Sequence, residues 1–143
     1  MAYDGTSNFS TDANLAIYEV DILDLVNTNE SETNFSTLHT QAQTEIKNYL
    51  KKHYEDELYD GDTWQWTYIL DTTDLKSASV YWVLSQVYCR HIQVPADVYD
   101  EKHKKYWQKY LDKLSGIYLE IDTDGDTVAE EFVNHGSISL GRG

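Results

Sequence analysis

The sequence predicts a mainly α fold: a small antiparallel helical bundle with a C-terminal β-hairpin and an extended N-terminal arm. Three observations predict it. Apolar residues recur at spacings of three and four over three long segments in the middle of the chain. Only short breaks separate those segments, and after Gly116 the periodicity changes to alternation. With 143 residues, 41% hydrophobic and 13% aromatic, the chain suffices for one domain with a real core and is too rich in core-forming side chains for a disordered acidic tail.

The elements follow in chain order. Residues 1–34 form the acidic arm, in which Tyr18, Val20 and Ile22 alternate with Glu19 and Asp21 as in a strand, although Ile22, Leu23 and Val26 also suit one helical turn. A first helix is predicted over 35–57, where Phe35, Leu38, Ala42, Ile46, Tyr49 and Leu50 share a face and Ser36 is placed to cap the start. The acid-rich run from Glu55 to Asp62, containing Gly61, breaks it. A short extended or looped stretch follows, in which Trp64, Trp66, Tyr68 and Leu70 alternate with Gln65, Thr67 and Ile69.

A second helix is expected from about Thr73 to Ile92, capped by Asp71, Thr72 or Thr73. Its stripe of Leu75, Ala78, Trp82, Ser85 and Cys89 is widened by Tyr81, Leu84 and Tyr88 until it is apolar nearly all round, so it should be central. Pro95 forbids its continuation. A third helix, about Ala96 to Ser115, places Tyr99, His103, Tyr106, Tyr110 and Leu114 on one face and ends at Gly116, closing a helical body over 35–116. In the final segment, 117–143, Ile117, Leu119 and Ile121 alternate with Tyr118 and Glu120, and the turn chemistry of Asp124 and Gly125 predicts a hairpin returning through Val128 and Phe132, followed by a polar tail.

Charge is segregated along the chain. The formal net charge is −14; residues 1–46 hold eight acids and no Lys or Arg, whereas 47–113 hold ten bases and eleven acids together with all four tryptophans. Such a balance disfavours a grip on a phosphate backbone, so no duplex DNA binding is expected. The exception is a stripe on the third helix, Lys102, Lys105, Lys109 and Lys113, spaced by three, four and four. It reads either as a solvated face or as a self-association surface that meets the acidic ends of a second copy, a pairing of unlike patches that favours a ring over a two-fold dimer.

No catalytic constellation emerges, and the sequence predicts no enzyme and no cofactor. The five histidines lie far apart with no pair at metal-ligand spacing, and Cys89 is expected on the core stripe as a small apolar side chain. Neither a nucleophile elbow nor a phosphate-binding glycine loop occurs. The turn Asp122, Thr123, Asp124, Gly125, Asp126 resembles a calcium loop in its alternating carboxylates, but Thr127 stands where the loop needs glycine and Val133 where it needs an acid, so no metal is expected. There is no run of about twenty apolar residues to span a membrane, and the start MAYDGTSNFS lacks the basic and apolar regions of a signal peptide, which predicts a soluble, unprocessed chain.

The middle of the chain, about 35–121, resembles the head-tail adaptor, or head-completion, proteins of tailed bacteriophages. The residues that carry the resemblance are Phe35, Ser36, Leu38, Ala42, Glu45, Ile46, Tyr49, Leu50 and Tyr54, then Leu75, Ala78, Tyr81, Leu84 and Tyr88, then Tyr106, Tyr110, Leu111 and Leu114 closing on Gly116 and Leu119. The resemblance implies a structural virion protein made in the bacterial host cytoplasm and located at the head-tail junction. It would be a small helical subunit, usually in a twelve-fold ring under the portal protein, continuing the DNA channel toward the next tail or neck component. DNA would pass without specific binding. In that role the arms would dock on the neighbours through Tyr18, Val20, Ile22, Ile117, Leu119 and Ile121. Two other classes remain: an acidic DNA mimic or inhibitor, and a small calcium-dependent binding module.

Overall fold

The computed structural model describes residues 2–123, 129 and 131–133. Three long helices form the body: α2 (Ser36–His53), α4 (Thr73–His91) and α5 (Val98–Ser115). Before them comes the short α1 (Asp12–Tyr18), and between the first two lie α3 (Glu55–Leu58) and a two-stranded ribbon, β1 (Tyr59–Asp60) with β2 (Thr63–Trp64). After α5, strands β3 (Leu119–Ile121) and β4 (Glu131–Val133) pair antiparallel, Glu120 opposite Phe132, forming the expected hairpin. Its Asp124–Gly125 turn and the tail beyond Val133 lie outside the described residues.

Local chemistry sets the helix ends. The first predicted helix is divided at Tyr54, whose ring is fully buried and whose hydroxyl donates to the Ile117 carbonyl at 3.2 Å. Ser36 is the first helical residue rather than the cap; Phe35 holds the cap position, and the Asn34 side chain accepts from the Ser36 amide at 3.0 Å. At the start of α4, Asp71 accepts from both the amide (2.9 Å) and the hydroxyl (2.6 Å) of Thr73. Asp97 caps α5 by accepting from the Asp100 amide at 2.8 Å, the side-chain capture that satisfies an orphan donor of the first turn.

Helix α4 is central, as its composition requires. It packs against α2, α5 and α1, and ten of its residues are buried, from Leu75 through Tyr88. Cys89 is not among them. It is exposed, because the neighbouring Val87 and Tyr88 take the inward positions of the last turn. At the lower end of the bundle, Ile69 bridges Ile121 and the Leu70 amide donates to the Glu120 carbonyl at 2.9 Å, so the segment after β2 adds a third, irregular strand to the C-terminal hairpin.

The N-terminal segment departs from the expected arm in two ways. It contains no strand: α1 and a 3-10 turn (Ile22–Leu25) occupy the region where alternation suggested one, because only Leu15 and Ile22 face inward there. Nor does it stand away from the body. Tyr3, Phe9, Leu15 and Ile22 are all buried in the common core, and residues 2–34 run across the helices as a strap.

Ala96, in the α4–α5 connection, sits at φ 66°, a left-handed conformation unfavourable for a residue with a Cβ. Ala96→Gly keeps the amide that donates to Asp100 at 2.8 Å and removes that clash. It is expected to raise stability by up to about 1 kcal/mol in a urea titration; a loss would mean that the Ala96 methyl makes compensating contacts.

Candidate self-association surface and its supporting strap

The strap is tied to the body by polar contacts that begin on α2. The Gln43 side-chain amide shares its donors among the Tyr3 hydroxyl (2.6 Å), the Thr6 carbonyl (2.8 Å) and the Ser7 carbonyl (2.7 Å). Lys47 donates to the Gly5 carbonyl at 2.6 Å and lies over the rings of Tyr3 and Trp66. Four positions on, Lys51 lies 6.0 Å from the centre of the Trp64 ring, which fixes the β1–β2 ribbon to the same flank of α2.

Next, the strap reaches α4. Ser10 is 2% exposed; its hydroxyl is 2.6 Å from His39 Nδ1 and 2.5 Å from the Ser79 hydroxyl, while His39 Nε2 is 3.0 Å from an Asp12 oxygen. The carboxylate accepts from Nε2–H, so Nδ1 accepts from Ser10 and Ser79 donates to Ser10. Asp12, His39 and Ser10 thus stand in the order of a catalytic triad. The serine is buried, however, and its oxygen is engaged on both sides, an arrangement suited to clamping α1 against α2 and α4. Burial lowers the His39 pKa, against the opposing pull of Asp12.

Glu19 then joins the strap to α4 and α5 together. One carboxylate oxygen accepts from Tyr88 (2.7 Å) and Lys102 (2.6 Å), the other from Tyr106 (2.5 Å). Burial pushes this carboxyl up, but the bonds from Lys102, Tyr106 and Tyr88 and the Lys102 charge outweigh it and hold the pKa at about 2. The same burial, with the Glu19 hydrogen bond and charge, raises both tyrosines. Farther along, Leu25 accepts from His91 at 2.9 Å and Glu32 receives Arg90 in a two-point contact at 3.0 and 3.1 Å.

The four stripe lysines therefore divide into two kinds. Lys102 is held by Glu19, an acid of the same chain rather than of a second copy, and Lys113 lies 3.7 Å from Asp74. Lys105 and Lys109 are exposed and make no ion pair among the described residues; they lie over the rings of Tyr106 (5.0 Å) and Tyr81 (5.7 Å). A cleft of about 300 Å³ beside them is lined by Tyr81, Lys109, Asp112, Lys113 and Gly116. This exposed part of the stripe is the candidate surface.

The six residues expected on docking arms also separate. Ile22, Ile117, Leu119 and Ile121 are at most 1% exposed and belong to this chain's own core, because the strap and hairpin fold back onto the helices. Only Tyr18 (44%) and Val20 (80%) remain at the surface, where Ile17 and Leu23 are exposed with them. Spacing had found the lysines; it had not found Glu19, Gln43 or His39, whose partners are remote in sequence.

Among the described residues, no three His, Cys, Asp or Glu side chains gather as a metal site would require, and no helix is long and apolar enough to cross a membrane. Comparison with protein-family models, curated proteins and solved structures finds no match to this chain.

Removing the Glu19 charge should expose its structural role. Glu19→Gln is expected to cost about 2 kcal/mol in denaturant unfolding. A carboxyl whose folded pKa is depressed stabilises above its unfolded pKa, so the wild-type advantage over Glu19→Gln should shrink as pH falls from about 4.5 toward about 2.

His39 has the same sign for a different reason. Its folded pKa is lowered from 6.5, so the unfolded chain takes up the proton first and stability is lost as pH falls below about 6.5. His39→Gln should flatten this loss in melts between pH 7.5 and about 5; an unchanged slope would assign it to the other histidines.

Proposed function

We propose that this chain is a structural virion subunit of the head-tail adaptor class, which forms a ring beneath a portal protein and continues the DNA channel toward a tail or neck component. The observation that carries the reading is the order and closure of the helices. α2, α4 and α5 occupy the segments on which the resemblance rests, joined by short connections, and α5 closes on Gly116 with Leu119 continuing into β3. The phage resemblance implies a role at the head-tail junction for a body of this kind.

Two physical features support it. The net charge of −14 suits a channel wall, since repelled phosphates slide without sticking. A surface carrying Lys105 and Lys109, without an ion pair among the described residues, on an otherwise acidic chain suits contact between unlike patches, the kind that generates rings. Twelve copies is the number that the resemblance implies, with the portal setting the count and DNA passing without specific contacts.

Virus particles made without this chain are expected to fill with DNA, fail to join tails and lose the packaged genome. Particles that lack it yet carry normal tails and retain their DNA would overturn the assignment.

A further inference from the structure

The β1–β2 ribbon is a protrusion with uncompensated negative charge. Gly61, at φ 71°, forms its tip, and a side chain placed there would meet no atom within 4 Å. Asp60 and Asp62 flank it, and Glu55 and Asp56 are exposed just before it; none of the four pairs with a cation among the described residues. On α2, Lys51 lies against Trp64 and Lys47 donates to Gly5, while the exposed Lys52 makes no ion pair with these acids among the described residues. On α5, Lys105 and Lys109 are in the converse position: exposed cations over tyrosine rings, Lys109 lining a cleft, and neither with an ion-pair partner among the described residues.

The two patches lie on different elements, the ribbon against α2 and the cleft between α4 and α5. Helix α4 packs between α2 and α5. Lys47 and Lys51 of α2 hold the ribbon side through Trp66 and Trp64. The ribbon is thus held against α2, with α4 between that helix and α5. Lys109 of α5 lies over Tyr81 of α4, and Lys102 on the same helix is held by Glu19 of the strap. One copy can therefore present the acidic tip to one neighbour and the basic cleft to another.

We propose that the acidic ribbon of one copy, with Asp60 and Asp62 at its tip, docks in the Tyr81–Lys109 cleft of the next, so that this chain self-associates head to tail. The inference rests on the ring-forming reading above and names the contact that would build the ring. Charge complementarity favours this occupant: a ribbon against a ribbon brings like charges together, whereas ribbon against cleft sets carboxylates beside Lys105 and Lys109. Asp112 and Asp74 also stand at the cleft, the latter beside Lys113 at 3.7 Å, so Lys105 and Lys109 supply the net attraction. A contact built on exposed charges is weak alone and salt-sensitive.

A charge-reversal exchange tests it. One variant carries Asp60→Lys and Asp62→Lys, the other Lys105→Glu and Lys109→Glu, and self-association is read by sedimentation over a concentration series at low salt. Each variant alone should assemble at least tenfold more weakly than wild type with its melting temperature retained. An equimolar mixture should recover assembly, because the reversed ribbon then meets the reversed cleft and the native pair also remains available. Full assembly by either variant alone, or failure of the mixture to recover, would overturn this contact while leaving an oligomeric wild type in place. A wild type that stays monomeric at the highest concentration would also overturn it, and the particle experiment would still decide the adaptor reading.

Discussion

The buried carboxylate of Glu19 is the constraint on which the rest of the arrangement depends. It has 15% of its side chain exposed and accepts from three donors on two helices, so a segment remote in sequence is located by one charge. Taking a carboxylate largely out of water is costly unless its lone pairs are met, and the geometry that meets them is narrow. The consequence is positional. Tyr88 and Tyr106 are held with ring centres 6.1 Å apart, and Tyr81 and Tyr99 extend the row at 6.3 Å on either side. A strap shifted by one residue would leave the carboxylate without its partners and the hydroxyls of Tyr88 and Tyr106 without theirs.

That constraint also decides which charges are left over. The acidic N-terminal third meets the bases of the body within one molecule: Asp12 with His39, Glu19 with Lys102, Glu32 with Arg90. Folding thus engages some of the segregated acids within the chain, Glu19 and Glu32 with permanent cations, so the surface available for partners is smaller than the sequence suggests. Among the described residues, the exposed charges left without an ion pair include the ribbon acids and Lys105 with Lys109. Folding uses the acid-base pairs that burial makes strong, and leaves those that solvent keeps weak.

The helices were legible in the sequence because their causes are local. Spacings of three and four, Asp71 near the start of the second long helix, and Pro95 and Gly116 near the ends are all read within a few residues, and α2, α4 and α5 follow them closely. The strap was not legible for the opposite reason. Glu19 is 69 positions from Tyr88 and 83 from Lys102, and nothing in the residues around Glu19 marks it as a hub. The alternation at Ile117, Leu119 and Ile121 correctly signalled a strand, but an apolar face does not name what covers it, and the cover is this chain's own core. The lysine stripe has the same limit: spacing put four cations on one edge, and only the folded strap separated the two that are engaged from the two that are free. Cys89 failed at the margin of a true stripe, where the helix end no longer has neighbours on that side.

Under the proposed reading, the modest charge of the free patches has a consequence for assembly. A single ribbon-to-cleft contact between exposed charges supplies little affinity, so isolated subunits at cellular salt need not pair. Seated side by side on a template, each subunit meets its neighbours at a high effective concentration and contributes a contact on both sides, and the closing contact of a ring forms without further loss of translational freedom. Weak, oriented contacts of unlike patches therefore favour assembly where a template has already placed the subunits and disfavour premature filaments elsewhere. This weakness follows from leaving Lys105, Lys109, Asp60 and Asp62 in water.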